Sequence, residues 1–87
     1  MENAKKKDAL MRLKTAGGHL RAIERMLAED QYCADILLQL HAVIASLKKI
    51  SDIILENHLE TCIRQAIQRG EADLIIRELK TFMKYKV

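Results

Sequence analysis

Residues 33–68 read CADILLQLHAVIASLKKISDIILENHLETCIRQAIQ, and they contain neither glycine nor proline. Ile36, Leu40, Val43, Leu47, Ile50 and Ile54 recur at alternating spacings of three and four. That is the heptad-like rhythm of a helix that buries one face. Leu37 and Ile44 widen the stripe. The pattern predicts one unbroken helix from about Tyr32 to about Gln68. A helix this long in an 87-residue chain points to an extended bundle.

Upstream, Leu10, Leu13, Leu20, Ile23 and Leu27 predict a first helix from about Lys5 to about Ala28. Gly17 and Gly18 interrupt it and leave room for close approach by a neighbouring helix. The Glu29–Tyr32 stretch is a turn, and Asp30 is the expected N-cap of the long helix. Downstream, Gly70 ends that helix. Leu74, Ile75, Leu79, Phe82 and Met83 give a third helix from about Ala72 to Tyr85. No strand pattern competes. The expected fold is all-α, three helices with one long central helix, in a single domain spanning 1–87.

The composition pulls two ways. The chain is 49% hydrophobic and has only three aromatic residues. A domain so short buries a limited core by itself. Partner chains would cover the surplus apolar surface, so an oligomer is expected. The net charge of +3 tilts toward an anionic partner, although the Lys5–Lys7 run alone reads as a solvated end. No apolar run has signal-peptide or transmembrane length, so a cytoplasmic protein is expected. Thiols stay reduced there, and Cys33 and Cys62 then stand for thiolate chemistry or inert burial rather than a disulfide.

His58 and Cys62 lie four residues apart, on one face of a helix, and continue the Ile50–Ile54 line. They are expected to point into the bundle and can share one metal ion. Alone, the pair reads more often as a buried thiol beside a hydrogen-bonded core histidine. Cys33 changes that weight. Two thiolates and one imidazole suit Cu(I), whereas structural zinc usually takes a fourth protein ligand. Cys33 precedes His58 by about 37 Å of helix at 1.5 Å per residue. It can therefore join them only across subunits, with two long helices antiparallel. His19 and His41 have no cysteine at ligand spacing.

The segments RLKTAGGHLRAIERMLAEDQYCADILLQLHAVIASLKKI (12–50) and ILENHLETC (54–62) resemble the copper-sensing operon repressor family. The likeness runs from Leu10 to about Leu79. Cys33, His58 and Cys62 match the copper-sensing branch. The resemblance implies an antiparallel four-helix bundle formed in the dimer, and a dimer of dimers. It implies a repressor that holds double-stranded operator DNA when metal-free and leaves it on binding Cu(I), with copper-resistance genes as targets and a copper chaperone as a further partner. It implies Cys33, His58 and Cys62 as ligands and Tyr32 and Glu78 as a shell around the ligand histidine. It also points to Arg12 and Lys49 for DNA. Lys14, Arg21 and Lys48 are further phosphate candidates, each of which also reads as a solvated position. The N-terminal MENAKKK lacks the histidine of the nickel, cobalt and formaldehyde branches. Gly17 stands where the family usually has an acidic residue.

Three other readings stay open: a persulfide or thiol-redox repressor using Cys33 and Cys62, a copper-buffering protein, and a structural helical oligomer. No nucleophile–base–orienter set speaks for an enzyme.

Overall fold

The computed structural model describes residues 1–85. Helix α1 spans Asn3–Ala28 and α2 spans Cys33–Asn57. A π-helical turn follows at His58–Cys62, then α3 at Ile63–Gln68 and α4 at Ala72–Lys84. The helical backbone is unbroken from Cys33 to Gln68, as the absence of Gly and Pro requires, but it is not uniform. In the π turn the Ile63 N–H bonds to the His58 carbonyl, five residues back. Such turns recur where a helix carries function.

Both turns between helices close by the same device. At the first, the Asp30 N–H bonds to the Leu27 carbonyl and the Gln31 N–H to the Met26 carbonyl. At the second, Gly70 bonds to Ile67 and Glu71 to Ala66. These are Schellman closures, which need a left-handed residue just beyond the helix. Gly70 has φ 75° and Asp30 has φ 54°. Gly70 is thus the predicted stop. Asp30 is not the expected N-cap: it closes α1 instead, and Tyr32 precedes α2 with no side-chain cap.

Helices α1 and α2 pack antiparallel. The buried line on α1 is Ala9, Ala16 and Ile23. The facing line on α2 is Ile36, Val43, Ile50 and Asn57, with Ile53 beside it. Ala9 packs with Ile50 and Ile53; Ile23 packs with Ile36, Val43 and Met26. Both lines repeat every seven residues, the spacing that keeps two helices in register along their length. Small alanines at two of the three α1 layers let the backbones approach.

This corrects the expected stripe on α1. Only Ile23 of it is buried; Leu10, Leu13, Leu20 and Leu27 lie on the surface. On α2 the predicted stripe divides. Ile36, Val43 and Ile50 face α1, while Leu37, Leu40, Ile44, Leu47 and Ile54 are exposed. Most of α4's apolar face is also exposed, with Ile75 buried and Leu79 half-buried. One chain therefore satisfies only part of its hydrophobic pattern. Among the described residues no helix is long and apolar enough to cross a membrane.

Candidate metal centre

His58 and Cys62 occupy the two ends of the π turn. Helix α4 returns to this level and places Glu78 against the imidazole, with His58 Nε2 2.9 Å from a Glu78 carboxylate oxygen. Phe82, one turn further on α4, meets the ring edge-on at 6.4 Å between centroids. A neutral imidazole held this way donates Nε2–H to the carboxylate. Nδ1 then keeps its lone pair and is the atom left to bind a metal.

The Cys62 thiolate, first, and the Glu78 carboxylate, second, raise the His58 pKa above its ordinary 6.5. Partial burial opposes them. Conversely, the Thr61 hydroxyl, 3.7 Å from the Cys62 sulfur, and then His58 push the thiol pKa down. Each group favours the charged form of the other. A thiol biased toward thiolate beside an oriented imidazole is a donor pair for a soft cation.

In a single chain this pair faces away from α1 rather than into a closed core. Cys62 is exposed, Ile54 is 47% exposed, and His58 is covered mainly by α4. Ile50 is buried, but the continuation of its line through Ile54, His58 and Cys62 is not buried within one chain as the sequence predicts. Beside it runs an open groove of about 630 Å³ between α2 and α4, lined by Leu47, Ile54, His58, Glu78 and Phe82 among others. Its walls are almost wholly apolar.

Cys33 starts α2 and is exposed at the other end of the molecule, whose long axis is 55 Å. Tyr32 beside it is 73% exposed. Among the described residues, no three His, Cys, Asp or Glu side chains come together as a metal-binding group. Of the five residues predicted around the metal, the fold of one chain sets Cys62 and Glu78 each beside His58, without gathering the three into a metal-binding group, and leaves Cys33 and Tyr32 apart.

Sequence reasoning missed Asn57, Glu60 and Thr61. Asn57 is the buried polar residue of the α1–α2 seam. Its Oδ1 accepts the Glu2 N–H at 3.4 Å. Glu60 pairs with Lys5 at 2.5 Å. The Thr61 hydroxyl donates to the Asn57 carbonyl at 2.8 Å. An asparagine in heptad phase with Ile36, Val43 and Ile50 was the available signal.

The predicted basic residues, Arg12, Lys14, Arg21, Lys48 and Lys49, are all exposed. Arg12 is not free: Asp8, one turn earlier, holds its Nε at 2.9 Å. Arg12 and Ser46 line one small cleft between α1 and α2. Lys49 lies one turn beyond Ser46 on that side of α2. The Arg21 guanidinium lies over Gly17 and Gly18, within 3.8 Å of where a side chain would begin.

A family model described as metal-sensitive transcriptional repressor matches residues 5–85. The copper-sensing transcriptional repressor CsoR of Mycobacterium tuberculosis is 46% identical over 82 residues, covering 94% of this chain and 69% of that protein. The CsoR of Bacillus subtilis is 38% identical over 84 residues, covering 95% and 83%. The crystal structure of the copper-sensing repressor CsoR with Cu(I) from Geobacillus thermodenitrificans superposes with a TM-score of 0.89 at 30% identity, covering 98% and 88%.

Proposed function

The chain belongs to the metal-sensitive transcriptional repressor family, and on that premise we propose that it is a Cu(I)-responsive repressor. It holds double-stranded operator DNA when metal-free, leaves it when Cu(I) binds, and so controls copper-resistance genes. It is not an enzyme. The described helices act as a single domain in the cytoplasm, where a copper chaperone is the natural donor of the ion.

The observation that carries the reading is an exposed heptad line on α2. Cys33, Leu37, Leu40, Ile44, Leu47, Ser51, Ile54 and His58 follow at alternating steps of four and three. All but the partly covered His58 are exposed in one chain. A second copy laid antiparallel on this line, with Cys33 opposite His58, sets Leu37 against Ile54, Leu40 against Ser51 and Ile44 against Leu47. Every position meets another member of the same line. Such a self-complementary seam is what a two-fold dimer requires, and it produces two equivalent sites. The pairing also closes the apolar groove beside His58.

In that dimer Cys33 of the partner subunit joins His58 and Cys62. Two thiolates and one imidazole give the soft, three-donor set that Cu(I) prefers when bound. The chain's own residues prepare it. Thr61 and His58 favour the Cys62 thiolate, and Glu78 orients the imidazole. Tyr32 of the partner subunit, next to its Cys33, comes within reach of Glu78. Arg12, Lys14, Arg21, Lys48 and Lys49 supply the phosphate-facing charge, repeated over the subunits of a dimer of dimers.

The test is a titration of the protein onto duplex DNA from its own upstream region, with and without Cu(I). Tight metal-free binding that Cu(I) reverses is expected. DNA affinity that Cu(I) leaves unchanged defeats the reading.

A further inference from the structure

The π turn is held from two sides. On one, α4 reaches His58 through Glu78. On the other, the first turn of α1 is pinned by residues that bind no metal. Asn57, 3% exposed, accepts the Glu2 N–H on its side-chain oxygen. Lys5 pairs with Glu60. These ties join residues 55 positions apart, at the one place where the N-terminus of α1 meets the far end of α2.

We propose that Asn57 and Glu60 are positioning residues that pass the state of the His58–Cys62 turn to α1, making α1 the arm through which metal alters the DNA-facing charge. The proposal rests on the reading of the chain as a copper-responsive repressor.

Three features favour transmission here. First, Asn57 sits directly before His58, and Glu60 lies between His58 and Cys62. One turn of backbone carries both the candidate ligands and the grip on α1. Any rotation that seats His58 and Cys62 on an ion must carry Glu60 with it. Second, the Thr61 hydroxyl stands between the grip and the ligand. It lies 2.8 Å from the Asn57 carbonyl and 3.7 Å from the Cys62 sulfur. It also lies 3.5 Å from Asn57 Nδ2. Its single proton serves the carbonyl or the sulfur, so a change at the sulfur is felt at Asn57. Third, a π turn has a neighbouring alternative, the α-helical register, which makes it a two-state element of the kind coupling requires.

The other end of the route is α1 itself. It is a 26-residue helix, a rod of about 39 Å at 1.5 Å per residue. Arg12, Lys14 and Arg21 ride on it. Its buried line of Ala9, Ala16 and Ile23 has small residues at two layers, and these resist sliding less than interlocked large side chains. A shift at Glu2 and Lys5 then moves the basic positions together.

The experiment measures three quantities for each variant: Cu(I) affinity, metal-free affinity for the upstream duplex, and the ratio of DNA affinities without and with Cu(I). Wild type comes first. If Cu(I) does not release wild type, the copper-repressor reading falls and this proposal falls with it. Given release, Asn57→Leu and Lys5→Glu should each cut the ratio about tenfold, within the usual range of coupling strengths. Cu(I) affinity and metal-free DNA affinity should stay within about threefold of wild type. Glu60→Lys should behave as Lys5→Glu does, and the double reversal Lys5→Glu with Glu60→Lys should restore the ratio. Because the double reversal would also rebuild an ion pair that served stability alone, the thermal midpoint is read for every variant: a ratio that falls and recovers only in step with the midpoint overturns the proposal. The surface pair decides the question even if Asn57→Leu does not fold. Wild-type ratios in both single charge variants, or no rescue in the double reversal, overturn the proposal while leaving the copper reading intact.

Discussion

His58 Nε2 lies 2.9 Å from the Glu78 carboxylate, although twenty residues and a helix turnaround separate them. The bond fixes which ring nitrogen remains for a metal. It also attaches α4 to the histidine proposed to hold the metal, so that in this reading occupation of Nδ1 would be felt by a helix that supplies no proposed ligand.

Removing that attachment should separate binding from response. His58→Ala keeps Cys62 and Cys33 and is expected to retain appreciable Cu(I) affinity through two thiolates. It should lose most of the copper-driven release of DNA, because a ligand shifts an equilibrium only by its difference in affinity for the two states. X-ray absorption should show two sulfurs and one nitrogen in wild type and no nitrogen in the variant. All-sulfur, two-coordinate copper in wild type would remove His58 from the site. A His58→Ala protein that leaves DNA as wild type does would break the relay to Glu78.

The metal-free ring should titrate above an ordinary histidine's 6.5, because the Cys62 thiolate and then Glu78 favour the imidazolium. The stabilisation this gives the fold is present in full below the ordinary value. It is lost as pH rises through the raised, folded-state value. NMR titration of the His58 ring should show the midpoint falling in Cys62→Ser and, less, in Glu78→Gln. An unshifted midpoint in both variants would disprove the two causes.

Arg12→Ala and Lys49→Ala should weaken operator binding and leave Cu(I) binding intact. Each lost phosphate contact should flatten the plot of log affinity against log salt by about 0.9. Asp8 occupies the Arg12 guanidinium at 2.9 Å. Asp8→Asn should therefore raise DNA affinity and steepen the salt dependence. Wild-type salt slopes in both alanine variants would move the DNA face elsewhere.

Subunit mixing tests the shared site. Cys33→Ala protein and His58→Ala/Cys62→Ala protein each lack a complete set in their homodimers. A heterodimer of the two rebuilds one full site from Cys33 of the second chain and His58 and Cys62 of the first. High-affinity copper binding should return at one ion per heterodimer, with exchange followed by native mass spectrometry. Exchange without recovered binding would rule out the antiparallel seam.

Asp30 holds φ 54°, a conformation in which glycine carries no Cβ penalty. Asp30→Gly should raise the thermal midpoint, by up to about 1 kcal/mol in stability. A lower midpoint would mean that the Asp30 side chain stabilises the turn in a way the backbone does not reveal.

The sequence by itself determined the helices, the stop at Gly70 and the pairing of His58 with Cys62. Each of these is a local matter: a repeat of three and four, a residue free to take positive φ, a spacing of one turn. It also determined that Cys33 cannot reach His58 in its own chain, because helix rise is a constant. What it could not separate were the two interleaved lines on α2. Periodicity shows one broad apolar stripe around Ile36, Leu37, Leu40 and Val43. Only packing against Ala9, Ala16 and Ile23 decides that Ile36 and Val43 turn inward and that Leu37 and Leu40 stay outside. The same holds for Asp30, whose side chain fits either an N-cap or a left-handed closure; the hydrogen bonds that the Asp30 and Gln31 N–H groups donate to the last carbonyls of α1 chose the closure. Glu78 beside His58, and Asn57 and Glu60 against the first turn of α1, are contacts between segments remote in sequence. No local pattern encodes them, because they exist only once antiparallel packing and the turn at Gly70 have brought the far ends of the chain together.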